Sequence, residues 1–377
     1  MKIVFTGGGS AGHFYPLIAV AEEINNITVE RKLLSPKLYY IGPEIYDARA
    51  LYENNIEFRQ SPAGKMRRYF SFFNITDLLK TATGIVGSIW QMYQIYPDVV
   101  FSKGGYASFP TLVAARLLRI PVVIHESDAT AGRVTRWSAK FAQKIAISYS
   151  DTATLFDARK VALTGNPVRH TLYAVAKEGG KEFLDLDKNI PTIFIVGGSL
   201  GSARINDTVL DALPKLVETY QIIHQTGERN FEEVQRTASF ILRGNSHQNR
   251  YHAFDFLNPL ALRMAAGTAS LIISRAGSGL IFEIAIWGIP SIIIPIPEDV
   301  SHDQTKNAFS YARSGAAIVV EEKNLTPNLL LSEINRLYAD TERMREMGVA
   351  AERFSKPKAA RSIAEAIVAI GLSHEFE

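Results

Sequence analysis

Short apolar runs that end in glycine-rich turns recur along the 377 residues of this chain. The apolar pattern of Lys2–Thr6 predicts a buried strand, followed by a glycine turn at residues 7–13 and a helical pattern over residues 17–24. The second half opens in the same way, with a predicted strand at Thr192–Val196 and a second glycine turn. This repeated order of strand, turn and helix predicts an α/β chain with parallel sheets.

A third strand, turn and helix are predicted within residues 271–308, and here the turn suggests a ligand. The start of a helix offers unpaired N–H groups and the positive end of a dipole, so Ser278 and Gly279 can bind a diphosphate. Glu283 lies one helical turn further on, where its carboxylate can accept hydrogen bonds from ribose hydroxyls. A purely structural glycine turn, with Glu283 complementing the helix dipole, is the alternative.

The first turn also fits the G-x-G-x-x-G pattern of dinucleotide sites. Such a site needs an acidic residue closing the second strand, whereas here that strand ends in Gly-Pro and Glu44 comes late. An NAD site is therefore disfavoured. His13 lies near a helix start, where the dipole favours the neutral imidazole that a general base requires. A histidine that merely bonds a backbone carbonyl is the alternative.

The amino-acid composition excludes several classes of protein and of functional site. Hydrophobic residues make up 47% and charged residues 21%, and the net charge of +3 is too small to indicate nucleic-acid binding. The lack of cysteine excludes disulfides, thiolate metal sites and cysteine nucleophiles, and fits a reducing cytoplasm. The N-terminus lacks a signal-peptide pattern. No run reaches the roughly 18 apolar residues of a membrane span, so we expect any membrane contact to be peripheral.

Residues 64–97 suggest such a contact. Basic residues stand beside aromatic residues at 65–73, and the helical pattern that follows carries two apolar stripes, more than one core face needs. A surplus apolar face beside basic residues suits an anionic membrane surface, although two packed neighbours would also explain it. A second basic face is predicted at helical spacing, formed by Arg133, Arg136, Lys140 and Lys144.

Several of these segments together resemble the MurG family of glycosyltransferases. R-x-G-x-x-x-x-E-x-x-x-x-G-x-P followed by D-Q-x-x-N-A resembles its donor-site segment, and G-G-Y at 104–106, H-E at 125–126, G-N-P-V-R at 165–169 and H-Q-x-G at 224–227 follow the family order. The two glycine turns are similar to G-G-T-G-G-H and G-G-S-Q-G-A-R, with Ser10, Ala11 and Leu200 as departures. Ser127 and Asp128 depart from the family's Gln-Asn.

This resemblance, which covers nearly the whole chain, implies a GT-B fold: two Rossmann-like parallel-sheet domains facing each other across a cleft. It places an acceptor-binding, membrane-facing domain at 1–166, rejoined by a C-terminal helix at about 355–377, and a UDP-sugar donor domain at 167–354. The implied location is peripheral, on the cytoplasmic face of the cell membrane.

The resemblance also implies a reaction, the inverting transfer of N-acetylglucosamine from UDP-N-acetylglucosamine to an undecaprenyl-linked muramoyl-pentapeptide. It implies catalytic roles for His13 and Glu126, and acceptor-binding roles for Gly104, Tyr106 and Asp128. The implied donor-binding residues are Ser10, Gly12, Arg169, Ser199, Leu257, Ser278, Gly279, Glu283 and Gln304.

Neither a metal nor another cofactor is expected, because helix ends and serines can bind the diphosphate and the chain has no D-x-D motif. Two alternatives stay open. A UDP-N-acetylglucosamine 2-epimerase would share the fold but need no lipid acceptor. A non-catalytic protein that binds a sugar nucleotide or lipid would retain the pockets without turnover.

Overall fold

The computed structural model describes residues 1–64, 73–176, 179–198, 200–301 and 303–373. The chain divides into two compact units. The first runs from Met1 to Arg169 and includes the segment that begins at Pro357, whereas the second is His170–Lys356.

Seven parallel strands form the sheet of the first unit. They are β1 (Lys2–Thr6), β2 (Lys37–Gly42), β3 (Ile56–Gln60), β4 (Val99–Ser102), β5 (Val122–Glu126), β6 (Lys144–Ile147) and β7 (Val161–Leu163). Their spatial order is β3-β2-β1-β4-β5-β6-β7. The order reverses between β1 and β4, and open α/β sheets bind ligands at such a switch point, beyond the carboxyl ends of the strands.

Six parallel strands form the sheet of the second unit. They are β8 (Thr192–Val196), β9 (Gln221–Gln225), β10 (Tyr251–Phe254), β11 (Leu271–Ser274), β12 (Ser291–Ile293) and β13 (Ala317–Val319). Their order, β10-β9-β8-β11-β12-β13, places the switch between β8 and β11. The predicted α/β class with Rossmann-like parallel sheets is confirmed.

Helices cover both sheets. In the first half of the chain they are α1 (Ala11–Glu30), α2 (Ala48–Glu53), α3 (Phe73–Ile95), α4 (Phe109–Leu117) and α5 (Arg133–Ser138). They continue with α6 (Gly180–Phe183), α7 (Ala203–Thr219), α8 (Phe231–Ile241), α9 (Pro259–Thr268), α10 (Ser278–Trp287) and α11 (Gln304–Ala312). The last three are α12 (Pro327–Ala339), α13 (Thr341–Phe354) and α14 (Ala359–Leu372).

The end of the chain completes the core of the first unit. Ile363 and Ile367 of α14 are buried in the same apolar cluster as Ile18 of α1 and Phe5 of β1. At the rim of this contact, the Arg361 guanidinium donates to the Glu30 carboxylate at 2.6 Å and 2.9 Å. Helix α14 therefore packs on α1 and covers one face of the first sheet.

Helix α3 leaves an apolar stripe in solvent. Met92 and Ile95 are buried against the sheet, and Gly84 lies so close to Pro62 that an added Cβ would overlap the Pro62 carbonyl oxygen. The second predicted stripe, formed by Leu79, Val86, Trp90 and Tyr93, is 61% to 69% exposed. The basic and aromatic residues at 65–72 lie outside the described residues.

The second predicted basic face is only partly helical. Helix α5 ends at Ser138, and Lys144 begins strand β6, where it pairs with Val123 of β5. The helical spacing expected for Lys144 was therefore wrong, because strand pairing overrides the local pattern. Among the described residues, no helix is both long enough and apolar enough to traverse a lipid bilayer.

Candidate active site

The first glycine turn runs closely between two tyrosines at the carboxyl end of β1. Tyr40 donates its hydroxyl proton to the Gly7 carbonyl at 2.6 Å, and a Cβ added at Gly8 would lie 2.6 Å from that same hydroxyl. The ring of Tyr106 lies 3.0 Å from where a Cβ of Gly9 would be. Gly8 and Gly9 also have positive φ angles of 138° and 88°, which side chains disfavour. Glycine is therefore required in this turn.

His13 lies in the first turn of α1, directly after these glycines. Its Nδ1 lies 2.9 Å from Oγ of Ser10, the residue that precedes the helix. Its Nε2 points toward Gly105, at 3.5 Å from where a Cβ of that glycine would be. Loss of hydrating water around the ring, and secondly the Lys103 cation, lower the pKa of His13 to about 4. The ring is thus neutral near pH 7, as a base must be.

Glu126, at the end of β5, accepts hydrogen bonds through both carboxylate oxygens. Oε1 accepts from the Asp128 N–H at 3.2 Å, and Oε2 accepts from the Gly132 N–H at 2.9 Å. Burial, and secondly the charge of Asp128, raise the pKa of Glu126 to about 7. These contacts hold the loop between β5 and α5. Glu126 therefore has a positioning role, and a direct catalytic role stays a prediction.

The acceptor residues predicted after β4 lie close to His13. Gly104 has a φ of 71°, and a Cβ added to it would lie 2.6 Å from Oγ1 of Thr135. Tyr106 begins a 3-10 helix, and its ring packs on the first glycine turn as described above. Arg169, whose donor-binding role stays a prediction, stacks on Tyr15 within the same unit, with its guanidinium carbon 3.9 Å from the ring centre.

Lys103 is the residue of this site that the sequence analysis overlooked. It follows β4 directly and is only 2% exposed. Its Nζ lies 2.6 Å from Nδ1 of His125, which is itself completely buried. A lysine between a buried strand and Gly104-Gly105 was the available signal, since lysine seldom occupies a fully buried position.

In the second unit, the third glycine turn joins β11 to α10 as predicted. Gly277 precedes the helix, Ser278 is buried in its first turn, and the helix ends at Gly288, whose φ is 65°. Gly279 and Glu283 are partly exposed on the same helix. The N–H groups at this helix start are the ones suited to a diphosphate.

Gln304 and Asn307 fix the backbone at this turn. Oε1 of Gln304 accepts from the N–H groups of Ala276 and Ile296, each at 3.2 Å. One helical turn further along α11, Asn307 donates to the Ala276 carbonyl at 3.3 Å. The spacing of Gln and Asn in D-Q-x-x-N-A therefore lets the two side chains bind both the N–H and the carbonyl of Ala276. It also directs the Gln304 amide group away from these two N–H donors.

Arg275 is a second residue whose role the sequence did not suggest. Its guanidinium donates to Ser202 Oγ at 2.7 Å and to the Ile294 carbonyl at 3.3 Å, and it forms an ion pair with Glu322. Ser202 in turn caps α7 by accepting from the Ile205 N–H. Arg275 therefore ties the start of α7 to the loop after β12.

The remaining donor residues lie near the second glycine turn. The Leu257 N–H donates to Oε1 of Gln225 at 3.2 Å, and Gln225 donates to the Gly198 carbonyl at 3.3 Å. Leu257 is thus linked to that turn, although its N–H is engaged within the protein. Ser199 lies outside the described residues. Within the described part of the chain, no three His, Cys, Asp or Glu side chains group as metal ligands.

Each unit therefore brings its own predicted residues together. Ser10, Gly12 and His13 share one turn of the first unit, and the residues after β4 and β5 lie beside it. In the second unit, the turn before α10 and the start of α11 meet at Ala276. Both groups lie beyond the carboxyl ends of the central strands.

The chain matches two family models over most of its length. Residues 3–147 match the glycosyltransferase family 28 N-terminal domain, and residues 192–365 match the glycosyltransferase family 28 C-terminal domain. It is 34% identical over 386 residues to the UDP-N-acetylglucosamine–N-acetylmuramyl-(pentapeptide) pyrophosphoryl-undecaprenol N-acetylglucosamine transferase of Treponema denticola, with 96% of each chain covered. The chain belongs to the MurG family of glycosyltransferases. A transferase of the same name from Clostridium novyi is 36% identical over 91% of this chain and 92% of its own.

Solved structures agree with membership of the MurG family. The crystal structure of Acinetobacter baumannii MurG matches with a TM-score of 0.72 and 25% identity, over 98% of this chain and 99% of that chain. The UDP-GlcNAc 2-epimerase of Neisseria meningitidis, solved with UDP-GlcNAc, matches with a TM-score of 0.68. That epimerase is only 16% identical, with 98% of this chain and 100% of that chain covered, so it shows a shared fold alone.

Proposed function

We propose that this protein transfers N-acetylglucosamine from UDP-N-acetylglucosamine to the C4 hydroxyl of undecaprenyl-pyrophosphoryl-N-acetylmuramoyl-pentapeptide. The product would be the lipid-linked disaccharide from which peptidoglycan is built. The observation that carries this proposal is the match, over 96% of both chains, to a curated transferase of that name.

His13 is the proposed base. With its proton on Nδ1, the ring donates to Ser10 Oγ and leaves the Nε2 lone pair to accept a proton. The C4 oxygen of the acceptor would attack the anomeric carbon as its proton passes to Nε2. The bond from that carbon to UDP would break on the opposite face, so the configuration inverts. The lowered pKa of His13 supports this role, because it keeps the ring neutral.

The second unit is the proposed donor domain. The N–H groups at the start of α10, with Ser278 and Gly279, would stabilise the charge that develops on the departing diphosphate. Glu283 would bind the ribose, and the Gln304 amide would donate to the sugar. Ser199, Leu257 and Arg169, with Ser10 and Gly12 of the first turn, complete the proposed donor contacts. No step of this proposal requires a metal ion.

The first unit is the proposed acceptor domain. Gly104, Tyr106 and Asp128 would contact the muramoyl-peptide, and Glu126 would hold the loop that carries Asp128. We also place this unit on the cytoplasmic face of the cell membrane, where the lipid substrate is anchored. That placement is supported by the exposed apolar side chains of α3 and by three exposed basic residues, Arg133, Arg136 and Lys140. We expect no nucleic-acid partner.

The deciding experiment is transfer of labelled N-acetylglucosamine to the undecaprenyl-linked acceptor in detergent micelles, with and without a chelator. Lipid-linked product in both conditions would support the transfer and its independence of metal. Release of free sugar, or of the C2 epimer of the donor, without lipid would favour the epimerase alternative. UDP binding without any turnover would favour a non-catalytic binding protein.

A further inference from the structure

A buried ammonium group lies under the proposed acceptor site and is fully hydrogen-bonded. Lys103 Nζ lies 2.6 Å from His125 Nδ1, 2.5 Å from Ser127 Oγ and 3.0 Å from Asn166 Oδ1. An ammonium has three N–H donors and no acceptor, so these three partners use all of them. Lys103 is 2% exposed, and its three partners are buried as well.

The direction of these bonds follows from His125. Its Nε2 lies 2.9 Å from the Gly165 carbonyl, which can only accept, so the proton of the neutral ring sits on Nε2. Nδ1 therefore presents a lone pair to Lys103. Burial, and secondly the Lys103 charge, lower the pKa of His125 well below its usual 6.5, which agrees with a neutral ring.

Lys103 connects three parts of the site. Its own N–H donates to the Thr6 carbonyl at 3.0 Å, directly before the first glycine turn. Its ammonium reaches His125 and Ser127 on β5 and its following loop, and Asn166 after β7. Ser127, which departs from the family pattern, thus serves as an acceptor for the lysine. Together these hydrogen bonds of Lys103 fix the turn that continues to Gly105.

Among the described residues, no carboxylate forms a hydrogen bond with this ammonium group. Glu126 and Asp128 act on it only through space, and burial lowers the pKa of Lys103 to about 7 despite their opposing effect. A buried charge is weakly screened by salt and solvent. The Lys103 charge acts on His13 as well. The two residues lie close together, since His13 Nε2 points at Gly105, two residues after Lys103.

We propose that Lys103 is a positioning residue of the transfer reaction. Its buried ammonium holds the turn that His13 contacts, and its charge adds to the effect of burial in disfavouring the protonated imidazole. This inference rests on the proposed function, in which His13 is the base. Lys103 itself touches neither donor nor acceptor in this scheme.

The titratable groups around Lys103 and His13 come from four segments. They are His13 on α1, Tyr106 after β4, His125 and Glu126 on β5, and Asp128 in the loop that follows. Where His13 titrates, between about pH 4 and its usual 6.5, Lys103 with its pKa of about 7 carries its charge. The lysine is therefore almost fully cationic around pH 4, where the wild-type His13 titrates.

The test is an NMR titration of the His13 ring in the full-length protein, without substrate. Lys103→Met removes the charge, and Asn166→Asp keeps the lysine but places a carboxylate against it. We expect the pKa of His13 to rise by at least about 0.5 in each variant, since less positive charge favours the imidazolium. The exposed Lys37→Met serves as the matched control and should leave that pKa unchanged.

The kinetic counterpart is the pH profile of kcat. In both variants we expect its acid limb to move to higher pH with the His13 pKa, whereas a purely structural lysine would lower kcat equally at every pH. A His13 pKa that stays at the wild-type value in Asn166→Asp would overturn the inference, even if Lys103→Met fails to fold. Absence of transfer by the wild type would instead refute the proposed function, while the titration would still decide whether Lys103 controls His13.

Discussion

The Ser10 hydroxyl lies 2.9 Å from Nδ1 of His13, three residues further along the chain. Ser10 has extended backbone geometry just before α1, and its side chain caps no N–H of that helix. A serine in this position usually bonds the helix backbone. Here the hydroxyl is directed to the imidazole instead, which fixes the orientation of the ring.

We therefore expect Ser10→Ala to lower kcat by about tenfold, because the ring loses the partner that orients it. Steady-state kinetics with saturating lipid acceptor would measure the loss. Ser10→Thr keeps the hydroxyl and is the control, expected to retain most of the wild-type kcat. An alanine variant with unchanged kcat would show that the hydroxyl does not orient the base.

Replacement of His13 by Gln should lower kcat by about 10² to 10⁴, the usual contribution of a general base. With a pKa of about 4, the wild-type base is almost entirely neutral above about pH 5.5 and becomes protonated as the pH falls through 4. Between pH 5.5 and 7.5 we therefore expect no loss of kcat from this group. Binding of UDP to the variant, measured by calorimetry, should stay intact. A rate close to wild type would exclude His13 as the base.

Gln304 has two roles. Its amide oxygen supports the turn before α10, and its amide N–H group is the proposed donor to the sugar. Gln304→Glu keeps an oxygen acceptor for the Ala276 and Ile296 N–H groups but loses the amide donor. We expect it to raise KM for UDP-N-acetylglucosamine by about tenfold, the effect of roughly one lost hydrogen bond, with little change in UDP affinity. Gln304→Ala should weaken both, because the turn before α10 then loses its support. Equal effects of the two substitutions on UDP binding would contradict this division of roles.

Much of the site followed from local sequence, because a buried strand and its glycine turn are consecutive residues. The positions of His13 and Ser278 at helix starts, and of Glu283 further along α10, needed no long-range information. Lys103 could not be placed in this way, since its partners Ser127 and Asn166 lie 24 and 63 residues further along the chain. Their contact depends on the sheet order, which brings β4 beside β5.

The error at Lys144 has the same origin. Helical spacing of charges continued past Ser138, but pairing with β5 fixes residues 144–147 as a strand. Arg275 is a further example, as its partner Ser202 is 73 residues away. The motif that resembles the family's donor-site segment includes Arg275. It could not show the role of Arg275, which is a contact between turns that are far apart in the sequence.

The close packing of two turns in the second unit predicts a large effect of one methyl group. A Cβ at Gly201 would overlap the Thr226 carbonyl oxygen, and its φ of 74° is unfavourable for alanine. Gly244 has a similar φ of 79° but open space around it, so Gly244→Ala measures the backbone strain alone, about 1 kcal/mol. We expect Gly201→Ala to lower the melting temperature several times more than this control. Equal shifts of the melting temperature in the two variants would show that the two turns can move apart with little loss of stability.

The exposed stripe of α3 predicts the strength of membrane association. Trp90 and Tyr93 stack with ring centres 6.3 Å apart, and both are more than 60% exposed. Inserting Trp90 into a bilayer surface would contribute about 1.5 kcal/mol, so Trp90→Ser should lower partitioning onto anionic vesicles roughly tenfold.

Phe240, 70% exposed on α8 of the other unit, is the matched control for this loss. Phe240→Ser removes a similar exposed ring and should leave vesicle binding unchanged in a sedimentation assay. Raising the salt concentration should weaken wild-type binding as well, because Arg133, Arg136 and Lys140 would face the anionic lipids. If Trp90→Ser and Phe240→Ser bind vesicles equally, α3 does not meet the membrane.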